Sequence, residues 1–202
     1  MKPFKNRVLA ALVTIALVLV PAAGATAGIA SGGKNNTVVV RNGIDDSLRS
    51  RSKVSVTHNR GPNVTNRNVA NARSSCVDCR TVAVAAQVVL VEGPVDTEAP
   101  VNAAVAVNVE CSSCETYAYA RQVVLKPGSP VTIGSGARDR ISAVHAEIRR
   151  ISRSDLTFPE MDAALDRQVN RLTSIVEAEI AKAGETASKR DRKVVDEDRA
   201  DH

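Results

Sequence analysis

The residues of this 202-residue chain best suited to chemistry are four cysteines in two Cys-x-x-Cys pairs, Cys76-Val77-Asp78-Cys79 and Cys111-Ser112-Ser113-Cys114. Thiols at this spacing support three chemistries: structural disulfides, a four-cysteine zinc site, or thiol–disulfide exchange. Zinc has geometric merit, since two such knuckles at the tips of hairpins can hold an ion tetrahedrally across the 31 intervening residues. Glu110 and Glu115 flank the second pair, however, and oppose the thiolates that zinc requires. Exchange chemistry needs a thiol pKa lowered by a helix N-terminus or a cation, and here Asp78 lies inside the first pair with Arg80 the only immediate cation. The expected assignment is therefore disulfide-bonded Cys76, Cys79, Cys111 and Cys114, with no catalytic residue, no metal and no cofactor. Four cysteines allow three pairings. A bridge between units would close a loop of about 36 residues and stabilise by roughly 4 kcal/mol, against roughly 2 kcal/mol for a four-residue loop. Pairing within each unit needs only a tight turn and is slightly favoured.

Little else in the chain is arranged for catalysis. His58 ends a β-branched segment, His145 falls on a helical pattern and His202 is terminal. His145-Ala146-Glu147 is not the His-Glu-x-x-His of a metalloprotease, and Gly134-Ser135-Gly136 reads as a turn before a helix rather than a phosphate loop.

The disulfide reading leans on the first residues of the chain. A basic start (Lys2, Lys5, Arg7), an apolar run of 13 residues over 8–20 and the small-residue stretch ending Ala25-Thr26-Ala27 are the three zones of an export signal. Cleavage is expected after Ala27, with an uncleaved anchor as the alternative. An exported chain meets an oxidising compartment, where an even number of cysteines reads as disulfides. Three of the five net positive charges lie in the signal, which leaves +2 on the remaining chain. Residues 34–80 hold nine Lys/Arg against three Asp, and residues 81–125 one Arg against five Asp/Glu. With only Tyr117, Tyr119 and Phe158 as aromatic residues beyond the signal, this blocky pattern lacks the stacking platforms of a nucleic-acid binder.

The elements that position the cysteines follow from an internal repeat. Slid by 35 residues, the 15 residues from Cys76 to Leu90 match those from Cys111 to Leu125 at nine positions. The identities are both cysteines, Thr81/Thr116, Ala83/Ala118, Ala85/Ala120, Gln87/Gln122 and the closing Val-Val-Leu. Beyond the cysteines the shared Thr, Ala, Ala and Gln recur at every second position, which sorts the faces of a strand. Asn68-x-Ala70-x-Ala72 and Asn102-x-Ala104-x-Ala106 alternate likewise ahead of them. Each unit is thus expected to be strand, Cys-x-x-Cys turn, strand, giving two hairpins. Alanine's helix propensity makes helical arms the rival, and Val82, Val84, Val88, Val89 and Val91 argue for strands.

Two further strands are expected at 37–40 and 53–57. After the Lys126-Pro127-Gly128-Ser129-Pro130 turn, Ile141, Val144, Ile148 and Ile151 take helical spacing. A second helix opens with Thr157-Phe158-Pro159-Glu160 as cap, proline and capping-box glutamate, and carries the stripe Met161, Leu165, Val169, Leu172, Val176, Ile180. The expected fold is α+β: a small antiparallel sheet of two repeated Cys-x-x-Cys hairpins followed by two amphipathic helices. Its expected division is a signal over 1–27, a flexible stem over 28–36, one cysteine-stapled domain over 37–183 with repeats at 64–91 and 102–125, and a charged tail without regular structure over 184–202.

Ser75-Cys76-Val77-Asp78-Cys79-Arg80-Thr81, residues 102–108 and Cys111-Ser112-Ser113-Cys114-Glu115-Thr116 resemble a poorly characterised group of actinobacterial-type exported proteins. Similar twin-cysteine regions close the C-termini of proteins assigned as peptide zinc metalloproteases. The resemblance spans residues 64 to about 180. Lacking His-Glu-x-x-His and a multispan part, the chain departs from those proteases, so the resemblance implies an extracytoplasmic accessory or binding module.

The functional expectation is a secreted, non-catalytic structural or binding protein. Its alternative is an extracytoplasmic thiol–disulfide oxidoreductase or a zinc-ribbon-like interaction module. The expected partner is a cell-surface or extracellular protein, with no nucleic acid and no membrane once the signal is removed, and the sequence leaves the oligomeric state open.

Overall fold

In a computed structural model, residues 34–127 and 130–183 are described in full, and residues 193–201 by their backbone. The expected signal, most of the stem, and residues 184–192 of the tail lie outside the described residues.

Eight strands form three stacked coils: β1 (Asn36–Asn42), β2 (Leu48–Asn59) and β3 (Asn63–Val64); β4 (Arg67–Ser74), β5 (Arg80–Val91) and β6 (Thr97–Glu98); β7 (Val101–Asn108) and β8 (Glu115–Leu125). Strands of one coil do not pair with each other. Each pairs in parallel with its counterpart in the next coil, giving sheets ordered β1-β4-β7, β2-β5-β8 and β3-β6. This parallel β-solenoid overturns the expected antiparallel hairpins. Alternation by two is the same in either strand direction, so it identified the strands without their pairing. Two helices follow, α1 (Ser135–Ile151) and α2 (Phe158–Lys182). A last strand, β9 (Lys193–Asp201), runs antiparallel beside β8, where the charged tail was expected to lack regular structure.

Stacking in register sets like on like. Asn36 faces Asn68 and Asn68 faces Asn102, and Thr81, Ala83, Ala85 and Gln87 face Thr116, Ala118, Ala120 and Gln122. The inward faces of the two main sheets are built from Val38, Val40, Ala70, Ala72, Ala83, Ala85, Ala104, Ala106, Ala118 and Ala120, all buried. Small residues let the sheets approach closely. Amide ladders run along the stack: Asn36 Nδ2 donates to Asn68 Oδ1 (2.8 Å), Asn68 Nδ2 to Asn102 Oδ1 (2.7 Å), and Gln122 Nε2 to Gln87 Oε1 (2.8 Å). Asn68 and Asn102 also donate across the sandwich to the Ala85 and Ala120 carbonyls, at 3.1 and 2.9 Å. Most of these buried amide groups find such a partner; among the described residues Asn36 Oδ1 and Gln122 Oε1, at the ladder ends, are buried without one.

The opposite face of β5 and β8 is apolar too, and strands buried on both faces read as continuous apolar runs. Val82, Val84, Val88, Leu90, Tyr117, Tyr119, Val123 and Leu125 pack with Val144, Ile148 and Ile151 of α1 and the α2 stripe from Met161 to Ile180. Both helices lie where the 3.6-residue spacing places them. The capping box also forms, with Thr157 N–H donating to Glu160 Oε2 at 3.0 Å. Among the described residues the first coil is the edge of the stack, where Arg49, Arg51 and Lys53 charge β2, which pairs on one side only.

Candidate functional site

The turns joining β4 to β5 and β7 to β8 carry the cysteines, and the stack continues through them. Val77 bridges Ser112 in parallel, Asp78 N–H donates to Ser112 C=O (2.9 Å) and Glu115 N–H to Cys79 C=O (2.9 Å). Beneath them the turn from β1 to β2 supports the second coil, with Ser75 N–H on Asn42 C=O (2.8 Å) and Arg80 N–H on Ser47 C=O (2.9 Å).

The pairing of Asn42 with Ser74 and of Leu48 with Arg80 makes the first turn a third copy of the unit. Ile44 stands where Cys76 stands, Ser47 where Cys79 stands, and Asp46 where Asp78 stands. Asp46, Asp78 and Ser113 share a left-handed backbone, with φ of 52°, 50° and 53°. Short polar side chains tolerate that conformation better than branched ones. The third turn is one residue longer than the others, and the additional residue, Glu110, is also left-handed at φ 50°. Sequence comparison missed this first copy because its cysteines are replaced. The surviving signal was Asn36-x-Val38-x-Val40, in phase with the later Asn-x-Ala-x-Ala segments.

All four sequence-identified cysteines are therefore brought together. Their Sγ atoms lie within 4.8 Å of one another, and Cys79 Sγ is 3.3 Å from Cys114 Sγ. Cys76 and Cys79, between the first and third turns, are buried; Cys111 and Cys114, in the third turn, are half-buried. Disulfides join Cys76 to Cys79 and Cys111 to Cys114, with Cα separations of 6.1 and 5.9 Å inside the usual range. This is the within-unit pairing favoured from the sequence. No free cysteine is present among the described residues.

The surroundings are acidic. An open depression beside Cys79 is lined by the carboxylates of Asp46, Asp78, Glu115 and Asp155, with Arg80 its one cation. Arg80 is engaged elsewhere: it pairs with Glu115 (3.3 Å), donates to the Leu156 carbonyl and sits over the Phe158 ring, 5.2 Å from its centroid. It anchors the loop between the helices to the sheet and offers no dedicated charge to a sulfur.

Compared with models of known families, with curated proteins and with solved structures, the chain finds no match. What the site can do rests on its own geometry.

Of the three histidines, His202 lies outside the described residues, and His58 and His145 make contacts between elements. His145 Nε2 lies 3.2 Å from the Ser52 carbonyl oxygen, fixing α1 to β2. His58 Nδ1 is 2.8 Å from Oε1 of Glu92, a buried carboxylate that the sequence did not flag. Glu92 also accepts hydrogen bonds from Arg60 Nε (2.9 Å) and the Val131 N–H (2.8 Å). Burial pushes this carboxyl upward, but the hydrogen bonds from Arg60, Val131 and His58, with the His58 charge, outweigh it and hold the group below its ordinary range. The cluster ties the end of β2 to the segment entering α1. Among the described residues no helix is long and apolar enough to cross a membrane.

Proposed function

We propose that this chain is an exported, non-catalytic structural or binding protein whose solenoid displays a flat face to an extracellular or cell-surface partner. The observation that carries the reading is the use of the duplicated cysteines. Each pair closes a turn of the stack, carboxylates line the adjacent depression, and the nearest cation is spent on Glu115 and the Leu156 carbonyl. An exchange catalyst requires the opposite field, one that favours thiolate.

The outward face of the β1-β4-β7 sheet supports the binding half of the reading. In register it presents Thr37, Val69 and Ala103, then Val39, Asn71 and Val105, then Arg41, Arg73 and Val107. Val39 and Val105 remain 44% and 40% exposed, while the other large sheet is covered by the helices. A regular, partly apolar grid rimmed by two arginines is suited to a protein surface.

Insulin reduction and oxidative refolding, run with the parent, Cys76→Ser and Cys111→Ser, test the proposal. The expected result is no turnover by any of the three and lower stability for both variants. Turnover by the parent that either serine abolishes would replace this reading with the thiol oxidoreductase.

A further inference from the structure

We propose that reduction converts the cysteine cluster into a site for one divalent ion of the zinc class, held by four thiolates from two adjacent coils. The inference goes beyond the binding role and stands without it.

Once the two disulfides are reduced, the four sulfurs are close enough for a tetrathiolate centre. Zinc–sulfur bonds of about 2.3 Å place the sulfurs of a tetrahedral site roughly 3.8 Å apart. Here four Sγ atoms already lie within 4.8 Å of one another, with the Cys79–Cys114 pair at 3.3 Å. The Cα separations of 6.1 and 5.9 Å inside each pair let the sulfurs part by side-chain rotation on an unchanged turn. The donor number also closes. The first coil supplies Ile44 and Ser47 at the equivalent positions and no further sulfur, so the stack holds one set of four.

The charge around the cluster points the same way. Asp46, Asp78, Glu115 and Asp155 make free thiolates costly, which disfavours a reactive dithiol, but they draw a cation toward the depression beside Cys79. A divalent ion removes that cost, because a coordinating thiol is deprotonated by the metal it binds. The half-buried Cys111 and Cys114 give it an approach.

Each disulfide takes two electrons and two protons from a dithiol reductant, which leaves as its own disulfide. The four resulting thiols then release four protons as one divalent ion binds. The two disulfides tie each turn to itself, whereas the ion ties one coil to the next.

The test uses the full chain reduced anaerobically with a water-soluble phosphine, which becomes its oxide at the expense of water, and titrated with cobalt(II) and then zinc(II). The expected result is one equivalent of cobalt with the thiolate charge-transfer and visible bands of a tetrahedral tetrathiolate, displaced by zinc. That spectrum is expected to be lost in Cys76→Ser and in Cys111→Ser, and absent from the unreduced chain. Thermal melts followed by circular dichroism should show zinc raising the Tm of the reduced parent but not of Cys111→Ser. The proposal is overturned if the reduced parent binds no stoichiometric cobalt, or if the spectrum survives either serine. It is equally overturned if the metal binds without raising the Tm, which would mean chelation by an unfolded chain. Insulin turnover is a separate readout, so either proposal can fail alone.

Discussion

Cys79 and Cys114 occupy one position in successive coils, and their sulfurs lie 3.3 Å apart although 35 residues separate them in the chain. The relationship follows from the in-register pairing of Arg80 with Glu115 and of Val77 with Ser112. Parallel strands about 4.8 Å apart place equivalent side chains in contact, so a repeated Cys-x-x-Cys becomes a cluster wherever two coils stack.

Non-reducing peptide mapping should recover Cys76 with Cys79 and Cys111 with Cys114 in two separate tryptic peptides, each lighter by two hydrogens, with no labelled thiol in the denatured, unreduced chain. A peptide joining residues of both turns would contradict the pairing described for the disulfides.

The amide ladder should weigh most at its centre. Asn68, itself fully buried, accepts from Asn36 and donates to both Asn102 and the Ala85 carbonyl. Asn68→Ala leaves several groups unpaired and should cost about 1–3 kcal/mol in denaturant unfolding. Asn102, half-buried at the other coil, should cost less when changed to Ala. Equal costs would show that the ladder does not behave as a buried network.

Leu165 and Leu172 of α2 are fully buried against the sheet. Leu165→Ala should lower stability by about 2–5 kcal/mol. Leu165→Asp should abolish the cooperative melt, because it buries a charge without a partner. An unchanged Tm in the aspartate variant would mean that this face is not packed.

Acid should act through Glu92. Its folded-state pKa lies below its unfolded value, so its stabilisation is present above the unfolded carboxylate pKa, about 4.3, and is lost as pH falls through the folded pKa. Glu92→Gln should therefore be less stable than the parent at neutral pH, with the gap narrowing in acid. Denaturant midpoints taken across that range check this, and a gap that widens in acid would mean that folding raises the Glu92 pKa instead of lowering it.

Much of the fold could be read from the residues. Ile141 to Ile151 and Met161 to Ile180 kept a helical period and became α1 and α2, and the Thr157–Glu160 capping box marks where α2 begins. Strand identity was legible from alternation. Strand direction was not, because Thr81, Ala83, Ala85 and Gln87 alternate alike in a hairpin and in a parallel stack. The 35-residue period, visible in the sequence, is the feature that favours the parallel stack, since a repeat of that length builds its core by stacking neighbours. The first coil was hidden for a local reason. It sits 32 residues before the second, its cysteine positions are Ile44 and Ser47, and Arg49, Arg51 and Lys53 take the places of Thr81, Ala83 and Ala85 at the open edge. Glu92 stayed unread because its partners His58, Arg60 and Val131 come from distant segments.

The stacking itself is tested most directly by the double variant Cys76→Ser, Cys111→Ser, which leaves one cysteine in each turn. If the coils stack as described, Cys79 and Cys114 are neighbours, and mild oxidation of the folded protein should join them in an intramolecular disulfide found by non-reducing peptide mapping. Two free thiols in the folded, oxidised monomer would contradict the parallel stack and, with it, the cluster on which this account rests.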